Sequence, residues 1–470
     1  MIRFLDILNH TLFWYYVASN LAYLAMLLVA LKTTAAHKRK LESYHLHWIA
    51  DTPLAPPITL IAPAHNEESS IRVAVRNLLG LDYPELEVIV VNDGSEDRTL
   101  QEMREEFRLR PVRAVYVAEL KCAPVRGLYR SSVDPRLLVI DKEPGRSKAD
   151  AVNAGLNAAT SPYVCVVDAD SVLERDALLR IMLPILADPE RVVAVGGIIR
   201  VLNGSEIAKG NLRRVRLPRK SIEVIQVIEY LRAFLIGREA WSQGNMLTII
   251  SGAFGVFRTD LVRAVGGYRP NSIGEDFDLV ARLHKHLLEK RAAYRIDFVP
   301  DPMCWTEVPS DLKSLGRQRA RWHKGLIDVL WLTRGMLFRR RYGRIGIFAL
   351  PYLWVFECAA PVIEILGIVT IVLAAVLGVL SRAFFLQFLL FGYAFATVIS
   401  IGSVLQEEIT YKRYNDWQDV ARLVSYCFLE HFPYRQMHMF WRLQGIWQYL
   451  RGNNAWAPLK RKGLQSASVP

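Results

Sequence analysis

Cysteine is scarce in this chain, and its placement excludes two common stabilising devices. The 470 residues include five cysteines, and no two of them form a C-x-x-C pair. Scattered cysteines indicate neither a zinc site nor a disulfide framework. Internal repeats and low-complexity segments are also lacking, and the length is typical of two or three structural units.

Acidic residues are fewer than basic ones. Lys and Arg number 59 against 46 for Asp and Glu, which gives a net charge of +13. Such a balance is typical of proteins that bind nucleic acid, an anionic membrane or acidic ligands. The basic residues concentrate beside long apolar runs, and no nucleic-acid motif is present. With 52% hydrophobic residues and a mean hydropathy of +0.15, the sequence favours a membrane and predicts no nucleic-acid partner.

The first apolar run covers residues 12–31. It is uncharged and has the length of about 20 residues that a membrane helix needs. Lys32 and the basic stretch 37–40 follow it. By the positive-inside rule, this order predicts an N-terminus outside the cell and a retained anchor rather than a signal peptide.

Further apolar runs lie in the last third of the chain. Residues 361–380 and 384–405 are each long enough to span, and the short link between them predicts an antiparallel pair. Residues 345–360 are broken by Pro351 and fit an interfacial segment or a further span. The tail 420–450 is rich in aromatic residues and Arg, which is typical of helices on the inner membrane face.

Between the anchor and the paired spans, short apolar runs alternate with helical patterns. The runs expected to form strands are 58–62, 86–91, 137–140 and 163–167. This order predicts an α/β domain with a doubly wound, mainly parallel sheet. A strand pair within 192–201, a helix over 222–236 and a strand over 249–255 are also expected. Residues 111–135 show no assignable pattern.

Two carboxylates end the fourth of these strands. A single residue separates Asp168 from Asp170. Two carboxylates at such a short distance repel each other unless a cation or water lies between them. Hard divalent cations take carboxylate oxygens, so the pair fits a metal held against a phosphate-bearing substrate. Alone, the same pair fits a solvated turn equally well.

Other strand ends carry polar motifs, and their order is informative. In chain order the motifs are Asn66-Glu67, Asp93-Gly94-Ser95, Lys148-Ala-Asp150, Asp168-Ala-Asp170, Glu275-Asp276 and Gln318-Arg-Ala-Arg321-Trp322. From about residue 58 to 322 this set resembles the membrane-embedded family 2 glycosyltransferases. That group includes the cellulose, chitin, hyaluronan and poly-N-acetylglucosamine synthases. The resemblance implies a GT-A-type α/β cytoplasmic domain joined to α-helical membrane segments.

On the donor side, the resemblance implies a nucleotide-sugar pocket. Asp170 would coordinate Mg²⁺ or Mn²⁺ on the diphosphate, with Asp168 near the nucleotide and Lys148 on the phosphates. Glu67 and Asp93 would contact the nucleotide base and ribose. Metal and cationic side chains stabilise the negative charge that develops on the leaving diphosphate.

On the acceptor side, the resemblance implies a base and a channel entrance. Asp276 would take the proton of the attacking hydroxyl, and in-line displacement would invert the anomeric centre. Glu275, Gln318, Arg321 and Trp322 would lie at the entrance, where the Trp ring can stack on a sugar. Gly274 stands where the family motif often has Thr, so the acceptor contact there differs.

Each motif alone has a plainer interpretation. Trp322 could anchor an interfacial helix, Arg321 could belong to the basic membrane-side cluster, and Asp276 could be an ordinary acid at a helix start. Asp93-Gly94-Ser95 alone is a common turn sequence.

The sequence therefore predicts an inverting transferase that moves a sugar from a UDP-sugar or similar donor onto a growing β-linked polysaccharide and exports it. Two alternatives stay open: transfer of a single sugar to a polyprenyl phosphate or glycolipid, and an inactive membrane scaffold. The expected location is the bacterial inner membrane, with the catalytic domain cytoplasmic. The sequence does not indicate whether an accessory export subunit is a further partner. It also does not identify the sugar or the linkage.

The expected layout has five parts. They are an anchor with a basic linker (1–50), the transferase domain (51–325), an interfacial basic region (326–345), membrane helices (346–406) and cytoplasmic or interfacial helices with a tail (407–470).

Overall fold

The structure, a computed structural model, describes residues 2–43, 55–113, 116–145, 147–208, 211–414 and 416–452. The proline-containing linker around Pro53 and the basic end of the tail lie outside these described residues.

The strands follow the chain in the order β1 to β12. They are β1 (Ile58–Ala64), β2 (Leu86–Asp93), β3 (Leu109–Pro111), β4 (Val125–Ser131), β5 (Leu137–Lys142), β6 (Tyr163–Val167), β7 (Val172–Leu173), β8 (Val192–Val201), β9 (Glu206–Ala208), β10 (Asn211–Arg214), β11 (Phe254–Arg258) and β12 (Arg295–Thr306). Ten of them form one sheet in the order β3-β4-β5-β2-β1-β6-β11-β8-β12-β7, and β9 and β10 form a separate hairpin.

The helices surround this sheet and continue beyond it. They are α1 (Ile2–Ser43), α2 (Ile71–Leu79), α3 (Thr99–Phe107), α4 (Lys148–Ala158), α5 (Ala177–Ala187), α6 (Ser221–Tyr230), α7 (Glu239–Gln243), α8 (Thr259–Ala264), α9 (Glu275–Glu289), α10 (Leu312–Leu332), α11 (Ile345–Cys358), α12 (Ala360–Val376), α13 (Arg382–Thr410), α14 (Trp417–Leu429) and α15 (Arg435–Leu450). A π-helical segment, Leu231–Arg238, joins α6 to α7.

The centre of the sheet is parallel. Strand β1 pairs in parallel with β2 and β6, and β2 pairs in parallel with β5. Their carboxyl ends therefore meet at one edge, where ligands of open α/β sheets bind. Strand β11 runs antiparallel to β6, which makes the whole sheet mixed. The expected α/β fold class is confirmed, with antiparallel strands on both flanks of the parallel centre.

Several expected elements differ in detail. The segment Val192–Val201 is one fully buried strand rather than a strand pair. Its two glycines serve packing instead of a turn, since a Cβ at Gly197 would lie 2.2 Å from the Phe254 ring. The expected strand at 249–255 begins only at Phe254. The unassigned stretch 111–135 contributes the end of the edge strand β3 and the strand β4 beside it.

Two helices are long and apolar enough to cross a membrane by length and composition, α1 and α13. A third span results if α11 and α12, bent by 44° at their junction, cross as one unit. Helix α12 ends at Val376, four residues before the expected end of its span. Exposed Val369 and Val372 on α12 offer an apolar surface, as a helix facing lipid would.

Polar links hold the sheet against these helices. Arg200, at the end of β8, forms a buried ion pair with Glu407 of α13. His37 of α1 lies 2.6 Å from the Asp301 carboxylate of β12, between the ring Nε2 and Oδ2. These contacts fix the carboxyl edge of the sheet relative to the apolar helices.

Candidate active site

The carboxylates after β6 face a lysine at the start of α4. The Lys148 ammonium forms an ion pair with Asp168 and donates a 2.8 Å hydrogen bond to the Gly252 carbonyl. Burial lowers the pKa of Lys148, but the carboxylates of Asp168 and Glu275 outweigh it, so the net shift is upward. Lys148 is therefore a fixed cation at the carboxyl edge of the sheet.

Gly252 connects this cation to the next acidic motif. Its N–H donates a 3.2 Å hydrogen bond to Oδ2 of Asp276, while its carbonyl accepts from Lys148. A Cβ at Gly252 would lie 3.0 Å from the Lys148 Nζ. A side chain at this position would press on the cation, so glycine suits the close approach of both groups to one peptide.

Asp276 is oriented from both sides. The N–H of Phe277 donates a 2.9 Å hydrogen bond to its Oδ1, and Gly252 binds Oδ2. The carboxylate thus has a fixed direction at the first turn of α9, where the helix dipole favours negative charge.

Glu275, next to it, has a pKa above the usual value of a glutamate. Burial raises the pKa of Glu275 to about 7, and the neighbouring Asp276 carboxylate contributes to the rise. Lys148 and Arg321 act in the opposite direction. A carboxyl group with a raised pKa, next to charged partners in a cavity, is typical of active sites.

The Gln-x-x-Arg-Trp motif lies on α10. Gln318 is buried, whereas the Trp322 side chain is 47% exposed. Between them, the buried Arg319 binds Glu229 of α6 at 2.5 Å and places its guanidinium 4.3 Å from the centre of the Trp322 ring. The ring is thus backed by a cation on one face.

Helices α9 and α10 touch through two glycines. A Cβ at Gly274 would lie 3.3 Å from the backbone of Gly325, and a Cβ at Gly325 would lie 3.2 Å from the Cα of Gly274. Such contacts are tight for a larger side chain. The departure at Gly274 from the family motif therefore has a packing reason, since it brings the Asp276 helix against the Trp322 helix.

One cavity collects most of the expected site residues. It measures about 1290 Å³ and begins at the strand-end carboxylates. Eight of the ten expected residues line it, namely Lys148, Asp168, Asp170, Glu275, Asp276, Gln318, Arg321 and Trp322. The same cavity continues between the apolar helices, where Tyr16 of α1, Glu364 of α12 and Ala396 of α13 also line it.

Glu67 and Asp93 are not part of this lining. Asp93, after β2, forms an ion pair with the fully buried Lys142 and accepts a 2.8 Å hydrogen bond from the Gly145 N–H. Glu67, after β1, accepts a 2.5 Å hydrogen bond from the Ser70 hydroxyl. Both lie at the same sheet edge, at the ends of neighbouring strands β1 and β2, so their expected nucleotide contacts would form a separate subsite.

The sequence of this domain matches a known family. Residues 56–325, more than half of the 470, match the family described as "Glycosyltransferase like family 2". The chain belongs to glycosyltransferase family 2.

Individual relatives of this family 2 glycosyltransferase are polysaccharide synthases. It is 31% identical over 275 residues to a poly-beta-1,6-N-acetyl-D-glucosamine synthase of Staphylococcus aureus (strain COL), which amounts to 58% of this chain and 55% of the relative. The synthase of the same name from Staphylococcus epidermidis is 30% identical over 275 residues. The chain spans about half the length of these curated relatives.

A solved structure shares the fold. The mannosyltransferase PcManGT from Pyrobaculum calidifontis, solved with GDP-Man and Mn²⁺, is 21% identical, with a TM-score of 0.51. The match covers 90% of this chain and 99% of that chain. The GT-A-like fold expected for the family 2 domain is thereby confirmed.

The acidic groups of the family 2 domain are suited to a metal that arrives with its substrate. Within the described ranges, no three His, Cys, Asp or Glu side chains group as a self-contained metal site. Asp168 and Asp170 both line the cavity. Mg²⁺ is commonly held by one or two carboxylates together with substrate phosphates, so this donor pair fits such a metal.

The structure adds side chains that the sequence pattern did not single out. Arg238, on the π-helical segment, lines the cavity, and the charge of Asp276 acts to raise its pKa against the larger lowering effect of burial. Its Nη1 is buried and has no hydrogen-bond partner among the described residues. Glu229 pairs with Arg319, which lies behind the Trp322 ring, and Lys142 pairs with Asp93. Helical spacing over 222–236 indicates only a packed helix, so no sequence signal marked the roles of Glu229 or Arg238.

Proposed function

We propose that this family 2 glycosyltransferase elongates a β-linked polysaccharide and passes the product through its own membrane helices. The observation that supports this most is the single cavity of about 1290 Å³. Its lining includes Lys148 and Asp276 at the sheet edge and Glu364 and Ala396 on apolar helices. A sugar joined to the acceptor at one end of such a cavity can move toward the other without leaving the protein.

The donor is held by Lys148 at the start of α4 and by the acidic groups after β6. The Lys148 ammonium is placed to contact the diphosphate of a nucleotide sugar, a contact that would compete with its present bond to Asp168. Asp170 would hold Mg²⁺ or Mn²⁺, with Asp168 near the nucleotide. The metal, when bound, would offset negative charge on the departing diphosphate. Arg321, whose charge already acts on Glu275, would stabilise the same leaving group.

Asp276 is the base. The acceptor hydroxyl gives its proton to the Asp276 carboxylate as its oxygen bonds to the anomeric carbon, and the bond from that carbon to the diphosphate breaks. Attack opposite to the leaving group inverts the anomeric centre, so an α-linked donor yields a β-linkage. The exposed Trp322 ring supports the acceptor sugar by stacking, with Arg319 behind it.

Glu67 and Asp93 would complete the nucleotide site from outside the cavity. Asp93 is held by Lys142, which leaves its second oxygen as the acceptor for a base N–H. Glu67 would accept a hydrogen bond from a ribose hydroxyl. In the cell, the catalytic domain would face the cytoplasm of a bacterial inner membrane, with the N-terminus outside and the five-part layout given above.

The proposed donor is a UDP-sugar, with UDP-N-acetylglucosamine the first to test, because the relatives are named as N-acetylglucosamine polymer synthases. GDP-mannose is the comparison donor, because the solved structure with the same fold was obtained with it.

Membranes that contain the full chain are incubated with each labelled nucleotide sugar and with Mg²⁺ or Mn²⁺. A high-mass product that β-glycosidases degrade is expected. Label that is only extractable into organic solvent would instead indicate single-sugar transfer to a lipid. No incorporation from any donor would indicate an inactive scaffold.

A further inference from the structure

A second cavity lies apart from the first, on the side of the domain where α13 ends. It measures about 920 Å³ and lies between the β9–β10 hairpin, the segment that follows β7, and the segment between α13 and α14. Eight Lys and Arg residues line it against four Asp and Glu residues. Its surroundings therefore favour an anionic ligand.

Part of this positive charge has no counter-charge. Arg413 is paired with Glu174 at 2.9 Å, and Arg216 with Glu206 at 2.8 Å. By contrast, the side chains of Arg213, Arg214 and Lys412 form no ion pair or hydrogen bond within the described part of the chain. Guanidinium groups are well suited to phosphate oxygens, which they bind in a bidentate manner.

The hairpin holds its arginines in place. Ile207 of β9 and Leu212 of β10 belong to a small apolar cluster with Val172 and the buried Trp305. Next to these packed side chains, Arg213 and Arg214 are both exposed. These two cations therefore lie on an element whose position is fixed by its packing.

The cavity also lies close to the expected membrane surface. Lys412 comes two residues after the end of α13, a helix long and apolar enough to span. Trp417, at the start of α14, is 75% exposed. Exposed Trp residues beside the end of a span are typical of the interfacial region, where lipid headgroups lie.

We propose that this cavity binds the phosphate headgroup of an anionic phospholipid. The unpaired cations of the hairpin and of Lys412 would surround one headgroup while its acyl chains remain in the bilayer beside α13. Ordinary basic residues near a membrane make only diffuse contacts, whereas a concave site made by two elements selects a single lipid. The bound lipid would fasten the hairpin to the end of the membrane helix.

The test uses the purified full chain and phosphatidylglycerol as the probe. The variant Arg213→Gln/Arg214→Gln/Lys412→Gln removes the unpaired cations. The matched control, Arg339→Gln/Arg340→Gln/Arg341→Gln, removes the same charge from an exposed basic cluster outside the cavity. Retained lipid is counted by native mass spectrometry, and Tm is followed during titration with phosphatidylglycerol or phosphatidylcholine.

We expect phosphatidylglycerol, and not phosphatidylcholine, to raise the Tm of the wild type and the control. The cavity variant should bind it at least roughly a hundredfold more weakly, because each hydrogen bond lost to the charged phosphate weakens binding by about tenfold or more. Equal losses in the two variants would overturn the proposal, because the attraction would then be diffuse. Inorganic phosphate or pyrophosphate that binds as tightly as the lipid would also overturn it, in favour of a soluble ligand. An unchanged Tm of both variants in phosphatidylcholine confirms that they fold.

Discussion

At the scale of single residues, the site depends on one peptide. Gly252 accepts a hydrogen bond from Lys148 and donates one to Asp276. The positions of the donor-side cation and of the proposed base are therefore fixed relative to the same residue. A displacement of either group is transmitted to the other through this peptide. Reaction geometry of this kind is sensitive to shifts of about 1 Å.

Asp276→Asn tests the base directly. The amide keeps an oxygen for the Gly252 N–H but cannot take a proton, so we expect sugar transfer to fall by roughly 10²–10⁴-fold. Nucleotide-sugar affinity, measured by calorimetry, should remain within about threefold because the donor-side groups are unchanged. A variant that transfers sugar at the wild-type rate would rule out Asp276 as the base.

Glu275→Gln tests the raised pKa beside it. The folded chain keeps the Glu275 proton up to about pH 7, whereas the carboxyl ordinarily titrates at 4.5. Between these values the unfolded state binds fewer protons, so the wild-type free energy of unfolding should fall as pH rises. The Gln variant lacks this titration, and its Tm should decline less between pH 4.5 and 7. Parallel Tm profiles for the two proteins, measured without nucleotide, would contradict the assignment.

The order of motifs identified eight residues that share the cavity, but it did not indicate that Glu67 and Asp93 lie outside the lining. Lys148, Asp168 and Asp276 come together because the parallel centre of the sheet places its carboxyl ends at one edge. Their chemical roles stay predictions until they are tested. The buried Arg319–Glu229 pair joins residues 90 positions apart, and nothing in a single sequence indicates that the two helices meet there.

At the scale of elements, the approach of α9 to α10 decides the shape of the acceptor side. Gly274 and Gly325 let the two backbones pass closely, with Asp276 on one helix and Trp322 on the other. The sequence indicated a helix start at the acids around Asp276, but it assigned no helix to the Gln-x-x-Arg-Trp motif. It could not indicate that the two helices approach each other closely, because a glycine at such a position is equally typical of a loop.

Gly274→Thr introduces the residue that the family motif often has. Its Cβ would press on the Gly325 backbone at 3.3 Å, and overpacking of this kind costs about 1–3 kcal/mol. We expect a lower Tm and a higher KM for the acceptor. Gly335→Thr is the control, because a Cβ there meets nothing within 4 Å. Equal Tm values for the two variants would show that the crossing is not tight.

At the scale of the whole molecule, one cavity joins two chemically different regions. Its sheet-edge part is lined by acids and cations, and its far part lies among α1, α12 and α13. The apolar runs in the sequence predicted these helices. They could not predict that Glu364, which lines the cavity, would pair with Arg435 at 3.2 Å, since the two belong to separate helices.

Ala396→Trp places a bulky ring in the far part of the cavity. We expect shorter polymer chains at an unchanged rate of donor hydrolysis, because the obstacle lies beyond the donor pocket. Val398→Trp is the matched control on the same helix, since Val398 is 57% exposed and lies outside the lining. Full-length product from the Ala396 variant, sized by gel filtration, would indicate that the polymer follows another path.

The most direct measurement of the coupling between synthesis and export uses sealed proteoliposomes with the catalytic domain outward. Labelled UDP-N-acetylglucosamine and Mg²⁺ are added outside, followed by a glycosidase that cannot cross the bilayer. We expect a high-mass polymer in the lumen that resists the enzyme until detergent opens the vesicles. Polymer that is fully degraded without detergent would contradict a product path through the cavity.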